Sequence, residues 1–289
     1  SRILAQKGEW QAAVELHEAA FVELEAIELT NENQRAQLGI IRSETELLSH
    51  ELSIALQTGG LMPRKNSGEK QQLTIAHDSD NNKWKSLSRS QLGQDLWVLE
   101  KLDWKKGGYF VEFGATDGVL LSNTWLLEKY FQWQGICAEP NPKFFKQLKK
   151  NRKCHVSPAC VHKFTGEKMQ FVMADAFGGL VGPTQEDGHQ AKRSAYQANK
   201  ETMEVETVSL TDLLDEFNAP STIDYLSIDT EGSELTILEG VNWERHRFRC
   251  ITVEHNFTPQ RQLIEKLLTD LGYEKTDGEW DDWYFHEHW

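Results

Sequence analysis

Two short runs of the chain bring together residue types that could hold a polar ligand. Residues 109–118 read Y-F-V-E-F-G-A-T-D-G: an apolar strand that ends around Glu112, then a turn bracketed by Gly114 and Gly118 with Ala115 and Asp117 between them. Glycines at such a turn let backbone approach a ligand where a Cβ would collide. Residues 136–141 read I-C-A-E-P-N, a second buried strand closing on Glu139 and Pro140. An acid about twenty residues beyond a first glycine turn is where an α/β nucleotide site holds ribose hydroxyls.

Later strand ends carry more chemistry. Asp229 and Glu231 follow one, Glu254 and His255 close another, and Ala159 and Cys160 sit at a third. A carboxylate or imidazole in such a place can take a proton from a hydroxyl, and a group of them can hold a divalent metal. Each residue also has a plainer reading. Glu112 can cap a turn, Asp117 is a common turn residue, Glu139 can simply end a strand before Pro140, and Glu231 can sit at a helix N-terminus in favourable dipole contact. His255 can orient a base, bind a metal, or be a satisfied structural histidine. A dinucleotide is excluded because its pyrophosphate needs G-x-G-x-x-G, and this loop offers G-A-T-D-G.

The elements that must position these residues alternate. From Ser90 an amphipathic helix leads into a strand at 108–113, a helix at 122–130, a strand at 135–139, a helix at 143–150 and a strand at 154–159. A less regular stretch follows, then a helix at 210–217, a strand at 223–228, a helix at 233–239, a strand at 248–254, a helix at 260–271 and a hairpin around Gly278. Strands separated by helices pair in parallel through right-handed crossovers, so the expected fold is α/β, a doubly wound Rossmann-like sheet. Trp283, Tyr284 and Phe285 are expected to add an antiparallel edge strand. In such a sheet ligands collect beyond the carboxyl ends of the strands, where the acids above fall.

Before this domain, at 84–289, residues 1–57 read as a helical hairpin for packing or homo-oligomerisation, and 58–83 as a linker or loop. The polar, glycine-containing segment 177–200 reads as a lid over the acceptor cleft. The chain opens at Ser1 without methionine and is expected to be a piece of something longer. A formal charge of −14 on 289 residues argues against nucleic acid or an anionic membrane as partner, since both reward clustered Lys and Arg. No apolar run is long enough to span a bilayer. The four cysteines lack C-x-x-C spacing and read as reduced core thiols, which suits the cytoplasm.

The ordered series S-Q-L-G-Q-D at 90–95, F-V-E-F-G-A-T-D-G at 110–118, S-N-T at 122–124, A-E-P-N-P at 138–142 and Y-L-S-I-D-T-E-G-S-E at 225–234 resembles the FkbM family of methyltransferases, over residues 90–286. The resemblance implies S-adenosylmethionine (SAM) as cofactor. Glu112 and the Gly114 to Gly118 turn would then hold its methionyl part, Glu139 its ribose, and Ala159 with Cys160 would lie near adenine. It also implies that Asp229 meets the acceptor, a hydroxyl often carried by a sugar of a glycan, glycolipid or natural product. Glu231, Glu254 and His255 stand by as further catalytic or metal-binding groups. An interaction or trafficking module that keeps the fold without turnover is the alternative.

Overall fold

The structure, a computed structural model, describes residues 83–173, 178–180, 201–255 and 258–289. The expected helical hairpin, the linker and most of the expected lid lie outside the described residues. The helix α1 (Gln94–Lys101) precedes β1 (Tyr109–Phe113), α2 (Trp125–Phe131), β2 (Gln134–Ala138), α3 (Pro142–Asn151) and β3 (His155–Ser157). After a second, smaller sheet come α4 (Leu210–Glu216), β8 (Thr222–Ile228), α5 (Glu234–Glu239), β9 (Arg247–Glu254), α6 (Gln260–Asp270), β10 (Glu274–Asp277) and β11 (Asp281–Phe285). The smaller sheet holds β4 (Cys160–His162), β5 (Lys168–Val172), β6 (Gly179–Leu180) and β7 (Thr202–Ser209).

The main sheet runs β10-β11-β9-β8-β1-β2-β3. Pairing is parallel from β3 to β9, and β11 is antiparallel to both β9 and β10. The final strand is therefore antiparallel as expected, but it sits one place inside the sheet and β10 forms the edge. The expected strand at 154–159 is the shorter β3, and β4, which begins just beyond it at Cys160, belongs to the other sheet. The stretch read as irregular contains β5 and β7, whose alternating polar and apolar residues pair antiparallel over Cys160, Phe171, Leu180 and Val205.

Successive side chains of a strand point to opposite faces, and here that alternation sorts the whole domain. Val111, Phe113, Ile136, Ala138, Leu226, Ile228, Ile251 and Val253 face one way, where they bury against Leu213 and Leu214 of α4, Leu238 of α5 and Ile264 and Leu268 of α6. Phe110, Cys137, Tyr225 and Cys250 face the other way, against Val98 of α1, Leu126 and Leu127 of α2 and Leu148 of α3. Glu112 falls on the second face. The same alternation puts Glu254, the last residue of β9, there as well, and continuing it past the ends of β2 and β8 adds Glu139 and Asp229.

Burying Glu112 needs compensation, and Arg152 at the end of α3 supplies it. Its Nη1 donates to Glu112 Oε2 at 3.3 Å, to Gly118 O at 3.2 Å and to Ser122 Oγ at 3.1 Å, while Nη2 donates to Thr124 Oγ1 at 2.8 Å. Nε pairs with Glu128 of α2, and the guanidinium lies over the Phe110 ring. Gly118 has φ +82, and a Cβ there would stand 2.6 Å from Arg152 Cγ, so this glycine is required on both conformational and steric grounds. Removing one member of a buried pair leaves the other uncompensated. Arg152→Met should cost about 3 to 5 kcal/mol in urea unfolding, with Glu112→Gln/Arg152→Met losing less than the sum of the single changes.

Candidate active site

The turn after β1 is built to meet two neighbours. Gly114 has φ +69, and a Cβ there would lie 2.0 Å from the carbonyl oxygen of Asp229, so only glycine lets the turn after β1 touch the turn after β8. Ala115 N donates to Ala138 O at 3.3 Å, tying the turn to the end of β2. Asp117 closes it locally, its Oδ1 accepting from Val119 N at 2.9 Å and Leu120 N at 2.7 Å. The side chain of Asp117 thus shapes the loop.

Glu139 stands at the centre. Its Oε2 accepts from Thr116 N at 3.0 Å and its Oε1 from Asn141 N at 2.7 Å. Pro140 and the N-cap residue Asn141, whose side chain accepts from Lys143 N, turn the chain directly into α3. A carboxylate has about four acceptor positions, and two here are taken by backbone amides. Burial pushes the Glu139 carboxyl up to about 7, opposed by those two amides and reinforced by the charge of Asp229. Cys160 lies near enough for the charge of Glu139 to add to burial in pushing its thiol up to about 12, and Ala159 packs beside it against the core.

Glu112, on the same face, is engaged by protein donors. Ser122 Oγ donates to its carboxylate at 3.0 Å, Asn123 N at 2.7 Å and Thr124 Oγ1 at 2.6 Å, in addition to Arg152. The residue expected against the methionyl part of a ligand therefore engages protein donors and holds the S-N-T loop. That loop presents Asn123, whose Nδ2 donates to Ser227 Oγ at 3.0 Å and whose buried Oδ1 has no hydrogen-bond partner among the described residues.

Across the turn, Asp229, Glu231 and Glu254 each place a carboxylate oxygen within 4.8 Å of the others. Like charges so close disfavour one another's ionised forms. Burial raises Asp229, offset by a hydrogen bond from Glu254. Glu254 is pushed well up by burial, then by the charges of Asp229 and Glu231. Both carboxyls of this hydrogen-bonded pair are thus held above the ordinary carboxylate range, chiefly by burial. Glu231 adopts φ +56, a left-handed conformation uncommon outside glycine. Glu234 holds the loop in that shape, its carboxylate accepting from Thr230 N, Thr230 Oγ1 and Gly232 N at 3.0 Å each.

His255 does not join the three acids. One residue past Glu254, it falls on the opposite face, with Nε2 3.8 Å from Asp282 Oδ1. Burial pushes it down to about 4, with the Arg261 charge adding to the effect, so it is neutral at physiological pH. The correction comes from strand alternation: adjacent residues at a strand end cannot both face one site. Sequence reasoning missed Asp281, which does share the acids' face. It pairs in register with Glu254, accepts from Gln94 Nε2 at 2.9 Å, and is pushed up to about 7 by burial. Its partner Gln94 lies within S-Q-L-G-Q-D, so the motif was visible while its contact across 187 residues was not.

The strand order, the parallel crossovers and the inserted antiparallel strand define a Rossmann-like α/β methyltransferase fold. The family described as "Methyltransferase FkbM domain" matches residues 112–275, and the chain belongs to that family. Among solved structures, the FkbM methyltransferase of Methylobacillus flagellatus is 14% identical with a TM-score of 0.40, over 72% of this chain and 59% of that one. The chain thus spans less than two thirds of that relative. A precorrin-6y C5,15-methyltransferase from Geobacter metallireducens gives 13% identity and a TM-score of 0.37, over 66% of this chain and 88% of that one. A TehB-like SAM-dependent methyltransferase from Corynebacterium glutamicum gives 9% and 0.35, over 74% and 100%. No curated protein matches the chain.

The raised Glu139 carboxyl has a measurable consequence. An acid with a folded-state value of about 7 against an ordinary 4.5 binds its proton more tightly when folded, so its contribution to stability falls as pH rises from 4.5 to 7 and is level above. Glu139→Gln removes that dependence. Its unfolding free energy relative to wild type should move in the mutant's favour by about 3 kcal/mol between those pH values. Parallel urea curves for the two proteins would refute this.

Proposed function

We propose that the chain transfers a methyl group from SAM to a hydroxyl oxygen, on a sugar of a glycan, glycolipid or glycosylated natural product, and that it works in the cytoplasm. The observation that carries the proposal is Glu139, buried at the carboxyl end of β2 with two acceptor positions left beyond Thr116 N and Asn141 N. Those are the acceptors that the two hydroxyls of a vicinal diol require. The unpartnered Asn123 Oδ1 and the glycine turn suit the other end of the same ligand, an ammonium and a carboxylate. The sugar acceptor rests on the resemblance to a family whose members commonly methylate such hydroxyls, and the compartment on the four free cysteines.

In this reading Glu139 binds the ribose hydroxyls, the Gly114 to Gly118 turn with Ala115 and Asp117 follows the methionyl part, and Pro140, Ala159 and Cys160 flank the adenosine. When bound, SAM supplies an electrophilic methyl carbon on a sulfonium. Asp229 aligns the acceptor hydroxyl and takes its proton. Glu254, hydrogen-bonded to Asp229, carries a proton in this reading and so leaves Asp229 free to accept one. Glu231 completes the acidic wall, and the same three oxygens could instead hold a divalent metal that lowers the acceptor's own pKa.

Glu139→Ala should weaken SAM binding by roughly 1 to 3 kcal/mol in calorimetry, because ribose donors lose a charged acceptor. Wild-type affinity in the folded mutant would remove Glu139 from the site. Asp229→Asn should lower turnover by about two to four orders of magnitude while cofactor affinity stays within about tenfold. Full turnover on the true acceptor would end the role of Asp229 as base. EDTA on the wild type separates the two uses of the acids, since proton acceptance alone survives chelation.

A further inference from the structure

Two of the four thiols touch beneath the cofactor side of the sheet. Cys137 Sγ on β2 lies 3.6 Å from Cys154 Sγ, which stands just before β3, and also 3.6 Å from Glu112 Oε2. Cys154 donates toward Cys137, and Cys137 donates toward Glu112, so the pair forms a relay from a half-buried thiol to the buried carboxylate that holds the S-N-T loop. The chain between them is the whole β2-to-β3 crossover. It carries Glu139, α3 and Arg152. Cys160 and Cys250 are also buried, with no thiol contact between them.

We propose that Cys137 and Cys154 form a reversible disulfide that closes the base of this crossover and weakens cofactor binding. The weakening rests on the reading of Glu139 as a cofactor ligand; the covalent site does not. Bond formation brings the sulfurs from 3.6 Å to about 2.05 Å, so the end of β2 and the approach to β3 must move toward one another. Glu139 lies two residues beyond Cys137 and moves with that strand. Glu112 at the same time loses the S–H that donates to it.

A small-molecule disulfide is the oxidant. The Cys154 sulfur, the more accessible of the two, attacks one sulfur of glutathione disulfide and expels the first glutathione thiolate. The Cys137 sulfur then attacks Cys154 in the mixed disulfide and expels the second. One S–S bond is made and one broken, two electrons pass from the protein to glutathione, and the two thiol protons end on the two glutathiones. Burial and the adjacent Cys154 push the Cys137 thiol well above its ordinary range, so the second step is the slow one.

The test equilibrates the full chain in glutathione redox buffers, blocks free thiols with N-ethylmaleimide, and identifies linked peptides by mass. Calorimetry with S-adenosylhomocysteine follows on the reduced and oxidised forms. The expected result is a Cys137–Cys154 crosslink and a loss of affinity of roughly fivefold or more on oxidation, absent in Cys154→Ser. Binding is reciprocal, so added S-adenosylhomocysteine should shift the crosslink toward the reduced form by the same factor. Cys137→Ala serves as the second variant should Cys154→Ser fold poorly. Glutathionylation of Cys154 without the crosslink, or fully reduced thiols in the most oxidising buffer, overturns the site. A crosslink with unchanged affinity overturns the coupling. Reduced chain that does not bind S-adenosylhomocysteine, with the crosslink present, condemns the functional reading and leaves the disulfide standing.

Discussion

The cradle depends on one buried cation. Arg152 ends α3, yet its guanidinium reaches the carboxylate of Glu112 on β1, the carboxylate of Glu128 on α2, the carbonyl of Gly118 and the hydroxyls of Ser122 and Thr124. An arginine can do this because its planar fork carries five fixed donors. Two helices, a strand and two loops are thereby referred to a single point. Without that charge, Glu112 would be a buried anion held only by the neutral donors of Ser122, Asn123 and Thr124, with no cation to balance it.

A second constraint follows from strand alternation. Glu112, Glu139, Asp229, Glu254 and Asp281 all share the face that looks toward α1, α2 and α3. Crowding acids into one buried region is unfavourable, and the protein handles each differently. Glu112 is paired with a cation, Glu139 is tied by amides, and Asp229 is hydrogen-bonded to Glu254, both carboxyls being raised by burial. Of these three arrangements, only the last two leave oxygens for a ligand.

Much of this was legible in the chain. The strands of the parallel sheet are short apolar runs ending in acids, and they emerge close to where those runs lie. The small second sheet was not read, although the alternation of Met203, Val205 and Thr207 with polar neighbours in β7 is a strand signal, because these strands pair antiparallel outside the strand-helix alternation that organised the rest. Arg152 was hidden inside K-K-N-R-K, which reads as an ordinary basic helix end, since nothing local distinguishes the one cation that turns inward. His255 was misplaced for the opposite reason. Adjacency to Glu254 looked like partnership, whereas in a strand adjacency means separation. Asp281 required knowing that β11 slips between β9 and β10, a pairing the local pattern does not specify.

The two borders of the main sheet differ from its interior in a way that bears on how copies of the domain can meet. On one side β10 reads E-K-T-D, mostly exposed, with Lys275 bound to Glu265 and Asp282 and Asp277 bound to Arg261. On the other, β3 is three residues long. Unpaired backbone at a sheet border is a template for another strand, and charge on one border and brevity on the other are the usual protections. A chain seeking to extend this sheet would find a salt-laced rim at one end and almost no ladder at the other. Association through these described elements is thereby steered to the helical faces, away from continuous strand addition.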